Sequence, residues 1–151
     1  MRIRFLLLFL FIAFVGVAQN SGVKIALLKY NGGGDWYADP TALPNLIAYC
    51  NENLRTNIYE EPSTIDIGSP EIFNFPFTHL TGHGNVILSE SDAMNLRVYL
   101  EGGGFLHVDD NYGLDEYIRR EMKKVFPRKE WVELNFVHAT TNTKAIRMPN
   151  R

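Results

Sequence analysis

Three apolar runs divide the chain, and each is followed by a glycine-rich turn and then by a helical pattern. The runs are Val23–Tyr30, Phe75–Leu80 and Phe105–Val108. Nearly continuous apolar runs of this length are typical of strands that are buried on both faces of a parallel sheet. Further strands are predicted at Asn57–Glu60, Thr64–Ile67 and Trp131–Phe136.

Helical spacing of apolar residues follows each turn. The first helix, which Asp39 and Pro40 can begin, has the apolar positions Leu43, Leu46, Ile47, Cys50 and Leu54. The second begins at Ser89, which forms a close variant of the capping box with Asp92, and ends at the glycines 102–104. The third has the apolar positions Leu114, Tyr117, Ile118, Met122 and Val125. This alternation predicts an α/β fold with a three-layer, doubly wound, mostly parallel sheet.

The first residues of the chain are predicted to lie outside this fold. Arg2 and Arg4 precede the eleven apolar residues Phe5–Val15, and small residues follow up to Ala18. This is the pattern of a signal peptide, and the apolar run is shorter than the roughly 18 residues of a membrane-spanning helix. We therefore expect residues 1–18 to be removed and the mature protein to be periplasmic or secreted. Contact with the membrane would then be transient.

Charge and cysteine content bear on nucleic-acid binding and on disulfide bonding. The chain has 15 basic and 17 acidic residues, a balance that gives no indication of nucleic-acid binding. Its single cysteine, Cys50, excludes an intrachain disulfide. Because Cys50 falls on the apolar stripe of the first predicted helix, we expect a small buried hydrophobic residue and not a nucleophile.

The three glycine-rich turns carry the candidate chemistry. They are Asn31–Asp35, Thr81–Asn85 and Asp109–Gly113. In an open α/β sheet, ligands bind outside the carboxyl ends of the strands, and these turns would meet there. The candidate ligand-binding residues are Gly33, Asp35, Trp36, Tyr37, Gly82, His83, Asn85, Asp109 and Asp110.

Two carboxylates and an imidazole leave several chemistries open. Asp109, Asp110 and His83 are candidate ligands for a divalent metal, with Mg²⁺, Ca²⁺ or Mn²⁺ favoured by the oxygen atoms and Zn²⁺ allowed by the histidine. They could instead hold a polyol through hydrogen bonds, or act as an acid–base pair. The structural alternative is that Asp110 or Asn111 caps the third helix and that the glycines serve only the tight turns.

The remaining histidine and aromatic positions have simpler interpretations. His79 alternates with Phe77 on a buried strand, which predicts a core histidine whose ring nitrogens are satisfied. A helical zinc pair with His83 is not expected, because glycines flank His83. Trp36 and Tyr37 are suited to stacking on a sugar or a peptide, or equally to covering the start of the first helix.

Several motifs resemble the bacterial domain family DUF4159, whose function is unknown. In chain order they are Tyr30–Pro40, Leu80–Asn85, Ser89–Glu90, Gly103–Asp110 and Arg119–Pro127. The resemblance covers residues 22–137, which we expect to form the domain. It implies a flavodoxin-like sheet, because the family is similar to class I glutamine amidotransferase-like and trehalose-utilisation (ThuA-like) domains. It implies no established activity.

The amidotransferase comparison implies a pseudoenzyme. Those enzymes place a nucleophilic Cys on a strand-to-helix turn, and the matching positions here, Asp109–Asn111, carry no thiol. The family's domain also continues beyond this sequence. We therefore expect a sheet that is incomplete at its C-terminal end, with an irregular tail over 138–151.

These observations together predict an exported, non-catalytic ligand-binding domain with its site at the carboxyl ends of the strands. The ligand would be a small molecule or a carbohydrate. One alternative is a metal-dependent hydrolase that uses Asp109, Asp110 and His83 with a divalent metal as cofactor. Another is an interaction domain of a cell-envelope complex, in which Trp36, Tyr37 and Tyr112 contact another protein.

Overall fold

Four parallel strands form the central sheet in a computed structural model that describes residues 22–134. In chain order they are β1 (Ile25–Lys29), β2 (Ser63–Asp66), β3 (Phe77–His83) and β4 (Phe105–Tyr112). Their order across the sheet is β2–β1–β3–β4. The predicted α/β fold is confirmed, and this strand order is consistent with a flavodoxin-like arrangement. The expected signal peptide and tail lie outside the described residues.

Three α-helices follow strands, as the spacing predicts. They are α1 (Ala42–Leu54), α2 (Glu90–Glu101) and α3 (Asp115–Val125), with a short 3₁₀ helix at Pro70–Asn74. The capping box of α2 is confirmed, because the Ser89 hydroxyl accepts from Asp92 N–H at 3.1 Å and the Asp92 carboxylate accepts from Ser89 N–H at 2.9 Å. None of the helices in residues 22–134 is long and apolar enough to cross a membrane.

The sheet separates two cores of unequal size. Successive side chains of a strand point to opposite faces, so Ile25 packs with Leu43 and Ile47 of α1 in a small cluster. Ala26 and Leu28 lie in the larger cluster on the other face. That cluster includes buried side chains of α2 and α3, among them Leu96, Ile118, Met122 and Val125. The three predicted layers are therefore present.

Helix α1 begins later and is less buried than its sequence pattern predicts. It starts at Ala42 after Thr41, because the carboxylate of Asp39 is occupied elsewhere, as described below. Of the five expected core positions only Leu43 and Ile47 are buried, since the cluster beneath α1 is small. Cys50 is half-buried, so the prediction of a fully buried cysteine is wrong.

Two predicted strands are absent from the described backbone. Asn57–Glu60 contributes only an isolated bridge between Ile58 and Val23. Residues 131–134 form no strand, and Trp131 instead packs against the larger core, with the Arg119 guanidinium 4.8 Å from its ring centre. The predicted Thr64–Ile67 strand is confirmed as β2, displaced by one residue.

A buried carboxylate joins α3 to the segment that precedes α2. Glu121 is 2% exposed, and its carboxylate accepts from Leu88 N–H at 2.9 Å. It also lies 2.7 Å from Arg120 Nε and 2.6 Å from Lys124 Nζ. Burial raises the pKa of Glu121, but the hydrogen bonds from Lys124, Leu88 and Arg120 outweigh burial and hold that pKa below its ordinary value.

Removing the charge of Glu121 should destabilise the fold measurably. We expect Glu121→Gln to lower the free energy of unfolding by about 1–3 kcal/mol, because a buried charge-assisted network loses its acceptor. Urea denaturation measures the change. The control is Asp115→Asn in the exposed Asp115–Arg119 pair of the same helix, which should cost less than about 1 kcal/mol. Equal losses in the two variants would contradict the assignment.

Candidate functional site

The β1–α1 loop and the end of β3 bring Asp35 and His83 together at the carboxyl end of the sheet. The Asp35 carboxylate accepts from the backbone N–H of His83 at 2.5 Å and lies 3.0 Å from its Nδ1. Their side chains are 36% and 50% exposed, respectively. The hydrogen bond from the His83 backbone is the main reason that the pKa of Asp35 lies below its ordinary value. We call this pair the Asp35–His83 dyad.

Glycine at position 82 allows the close approach of the two segments. Gly82 has φ 137°, and a Cβ there would lie 2.9 Å from Asp35 O and also collide with the Tyr30 hydroxyl. That hydroxyl donates to Thr81 O at 3.1 Å. Its burial, and then the charge of Asp35, raise the pKa of Tyr30 to about 12, so it remains a neutral donor. The backbone at Gly82 and the buried Tyr30 side chain therefore support the dyad.

Asn85 connects the first two glycine-rich turns, Asn31–Asp35 and Thr81–Asn85. Its backbone O accepts from Gly34 N–H at 3.0 Å, and its side-chain amide donates to Gly32 O at 3.1 Å. Arg120 donates to Asn85 Oδ1 at 3.0 Å, which connects the turns to the buried Glu121 network. Gly33, in contrast, is exposed, and a Cβ there would meet nothing within 4 Å. Asn85 therefore positions the turns, while Gly33 lies beside open space.

The two aromatic residues of the first turn have different environments. Tyr37 is 63% exposed, whereas Trp36 packs against the larger core. Their rings meet edge to face, with centroids 5.4 Å apart. Lys29 Nζ lies 5.8 Å from the Trp36 ring centre. Tyr37 therefore has an exposed ring in the same loop as Asp35, while Trp36 anchors the loop.

The two neighbouring aspartates of β4 have different environments. β4 extends through Tyr112, so Asp109 and Asp110 lie within the strand and not in a turn after it. The Asp110 carboxylate accepts from Leu114 N–H at 2.8 Å and from Asp115 N–H at 3.2 Å. It is therefore a cap of α3, as the structural alternative proposed. Asp109 is exposed on the other face of the strand.

The described residues do not form the expected metal cluster. No group of three or more His, Cys, Asp or Glu side chains in residues 22–134 is arranged to hold a metal ion. Asp110 is engaged at the start of α3, and His83 is engaged with Asp35.

A polar cluster that the sequence did not single out lies beside the dyad. The Asn111 amide donates to Asp39 Oδ2 at 2.6 Å. The buried hydroxyl of Thr81 lies 3.5 Å from Asp39 Oδ2 and 3.4 Å from Asn111 Oδ1. Asp39 was predicted only to begin α1, and Asn111 only to cap a helix. One feature of the sequence could have indicated this cluster. Side chains alternate between the two faces of β4, and this alternation places Asn111 on the same face as Asp109.

A histidine pair lies on the same face of β3 and β4. His79 Nδ1 and His107 Nδ1 are 3.0 Å apart, and the ring planes differ by 13°. One imidazole must donate and the other must accept. His79 is only 5% exposed, and its Nε2 is buried without a hydrogen-bond partner among the described residues. The prediction of a core histidine is confirmed, but the prediction that both ring nitrogens are satisfied is wrong.

The family model of a domain of unknown function, DUF4159, matches residues 24–149. The chain belongs to the DUF4159 family. The match includes the Asp35–His83 dyad, the three glycine-rich turns and the four described strands. No curated protein matches the chain.

The single cysteine of this DUF4159 domain, Cys50, lies in α1. The residues Asp109–Asn111 belong to β4, where Asp110 caps a helix and Asn111 binds Asp39.

Alanine at Gly82 should separate the dyad. We expect Gly82→Ala to destabilise the protein by about 1–3 kcal/mol more than Gly84→Ala, because its Cβ meets Asp35 and Tyr30 at a strained φ. Gly84 also has a positive φ of 72°, but a Cβ there meets nothing within 4 Å. Urea denaturation measures stability, and the NMR signals of the His83 ring report on the dyad. Equal effects of the two substitutions would contradict the close-approach argument.

The histidine pair should make stability fall in mild acid. Burial, and then His107, lower the pKa of His79 from 6.5 to about 4, although Asp109 and Asp39 oppose the shift. Between those pH values the unfolded chain binds a proton that the folded protein does not. Stability is therefore complete above pH 6.5 and should decrease by up to about 3 kcal/mol as the pH falls to 4.

Denaturant unfolding as a function of pH tests this dependence. His79→Leu should flatten the stability profile over this pH range, because the titrating group is gone. A profile that stays equally steep in His79→Leu would show that another group titrates.

Proposed function

We propose that this DUF4159 domain binds a polar small molecule of the carbohydrate class at the carboxyl ends of β1, β3 and β4. The Asp35–His83 dyad is the recognition group of the proposed site. The observation that carries the proposal is that the pair is accessible to solvent and yet held rigidly. The carboxylate has two hydrogen-bond partners on His83, and the side chains of Asp35 and His83 are 36% and 50% exposed.

Stability alone does not account for this arrangement. Exposed ion pairs stabilise a protein by about 0–1 kcal/mol. The fold nevertheless places Gly82 at φ 137° and buries the Tyr30 hydroxyl to bring the two segments together. Glycine adopts this conformation readily, and it is used where two backbone segments, or a backbone and a ligand, approach closely. Preorganisation of polar groups for a ligand is the function that it supports best.

The neighbouring groups favour a ligand with several hydroxyl groups. A carboxylate, an imidazole and the edge of Tyr37 can exchange hydrogen bonds with hydroxyls, and the Tyr37 ring can stack on an apolar sugar face. Sugar binding at this site requires no metal. The occupied oxygens of Asp110 favour metal-free binding over the metal-dependent hydrolase.

We also propose that the domain acts outside the cytoplasm. This part of the proposal is supported only by the sequence, in which Arg2 and Arg4 precede the apolar run Phe5–Val15. An exported binding domain would meet ligands that are present at the cell surface, and soluble sugars are among these ligands.

A thermal-shift screen tests ligand binding. A panel of mono- and disaccharides should raise the melting temperature of the wild type in the presence of a chelator. The gain is about 2.7 kcal/mol when the sugar is at a hundredfold excess over Kd. Asp35→Asn and His83→Gln should abolish the shift, whereas the control Asp115→Asn should retain it. An equal shift in all variants would place binding elsewhere.

Metals are the second arm of the same screen. A rise that Mg²⁺, Mn²⁺ or Zn²⁺ alone produces, and that Asp109→Asn and His83→Gln remove, would overturn the metal-free proposal in favour of the hydrolase. No shift with either class of ligand, combined with loss of stability in both dyad variants, would show that the dyad is structural.

A further inference from the structure

We propose that the Asp35–His83 dyad is an acid–base group that takes a proton from a hydroxyl of the bound ligand. The proposal rests on the proposed function, because the ligand must occupy the same turn. It adds an activity to binding, and it needs no thiol or metal.

The geometry assigns a tautomer to His83. Asp35 Oδ2 lies 3.0 Å from Nδ1, and an ionised carboxylate can only accept, so Nδ1 carries the proton. The lone pair is then on Nε2, which is the nitrogen required of a general base. The carboxylate is fixed in turn by the His83 backbone N–H at 2.5 Å. Asp35 is therefore a positioning residue for the proton transfer, and His83 is the residue that takes the proton.

The space around the dyad permits a ligand to reach it. Half of the His83 side chain is exposed. On either side of the dyad, Gly33 and Gly84 border open space, since a Cβ at either position would meet nothing within 4 Å. Tyr37 has an exposed ring in the same loop as Asp35. His79, which is buried, has no comparable access.

The proposed step is a simple proton transfer. The O–H bond of the ligand hydroxyl breaks, its electron pair stays on oxygen, and the proton forms an N–H bond at His83 Nε2. The resulting imidazolium is stabilised by the Asp35 carboxylate at Nδ1. Return of the proton from Nε2 to an oxygen of the product or to water restores the neutral imidazole.

A reaction that needs only a base tests His83 without knowledge of the natural ligand. In the Kemp elimination of 5-nitrobenzisoxazole, a base removes the proton from C3, the C–H electron pair forms the nitrile, and the N–O bond breaks to give a phenolate. Wild type should exceed His83→Gln by about 100-fold in rate. Asp35→Asn should lose about tenfold, and the exposed control Glu52→Gln should match the wild type. Equal rates in wild type and His83→Gln would overturn the proposal.

Imidazole ¹⁵N NMR of the full chain separates positioning from a purely structural role. The wild-type spectrum should show His83 protonated at Nδ1, and Asp35→Asn should shift the population towards the Nε2–H tautomer. A wild type protonated at Nε2 at neutral pH would overturn the proposal.

The two proposals fail separately. If sugars stabilise wild type but not His83→Gln while the elimination rates are equal, binding stands and acid–base chemistry is wrong. If the rates differ as expected and no sugar shifts the melting temperature, the dyad is an acid–base group and the carbohydrate assignment is wrong.

Discussion

The close contact between the β1–α1 loop and the last residues of β3 is the constraint on which the rest of the site depends. It places the backbone of Asp35 where only glycine fits at position 82, and it presents the Asp35 carboxylate to the N–H of His83. The parallel sheet makes the contact possible, because the carboxyl ends of neighbouring strands emerge at the same edge. The dyad is therefore a product of topology and of one glycine, more than of the attraction between two exposed side chains.

Polar side chains continue from the dyad down the α1 face of β3. Thr81 and His79 lie on this face of the strand, and both are buried. Unpaired polar groups in a sheet interior are costly, and the partners come from β4 and from the β1–α1 loop, namely His107, Asn111 and Asp39. Only His79 Nε2 lacks a partner among the described residues. Buried polar side chains on this face are thus accommodated near the edge of the sheet where the loops supply hydrogen bonds. A ligand would bind at the same edge.

Periodicity predicted the sheet and helices, but not the partners of individual side chains. The strands β1, β3 and β4 and the helices α2 and α3 follow from local patterns, because burial on one or both faces leaves a direct signal. The pairing of Asp39 with Asn111 joins residues 72 positions apart, and no local rule detects it. The strand predicted from Trp131 fails because the Trp131 ring packs on Arg119 and the larger core. The position of the turns was predictable from the sequence, whereas their hydrogen bonds depended on long-range packing.

The adjacent Asp109 and Asp110 show why a motif alone does not define a site. As paired carboxylates they suggested a metal, and both lie at the expected edge of the sheet. Because β4 continues through both of them, they point to opposite faces. Asp110 turns towards α3 and accepts two of its first N–H groups, which the start of any helix must satisfy. Asp109 stays on the face of His107. The start of α3 thus gives Asp110 a structural role that Asp109 does not share.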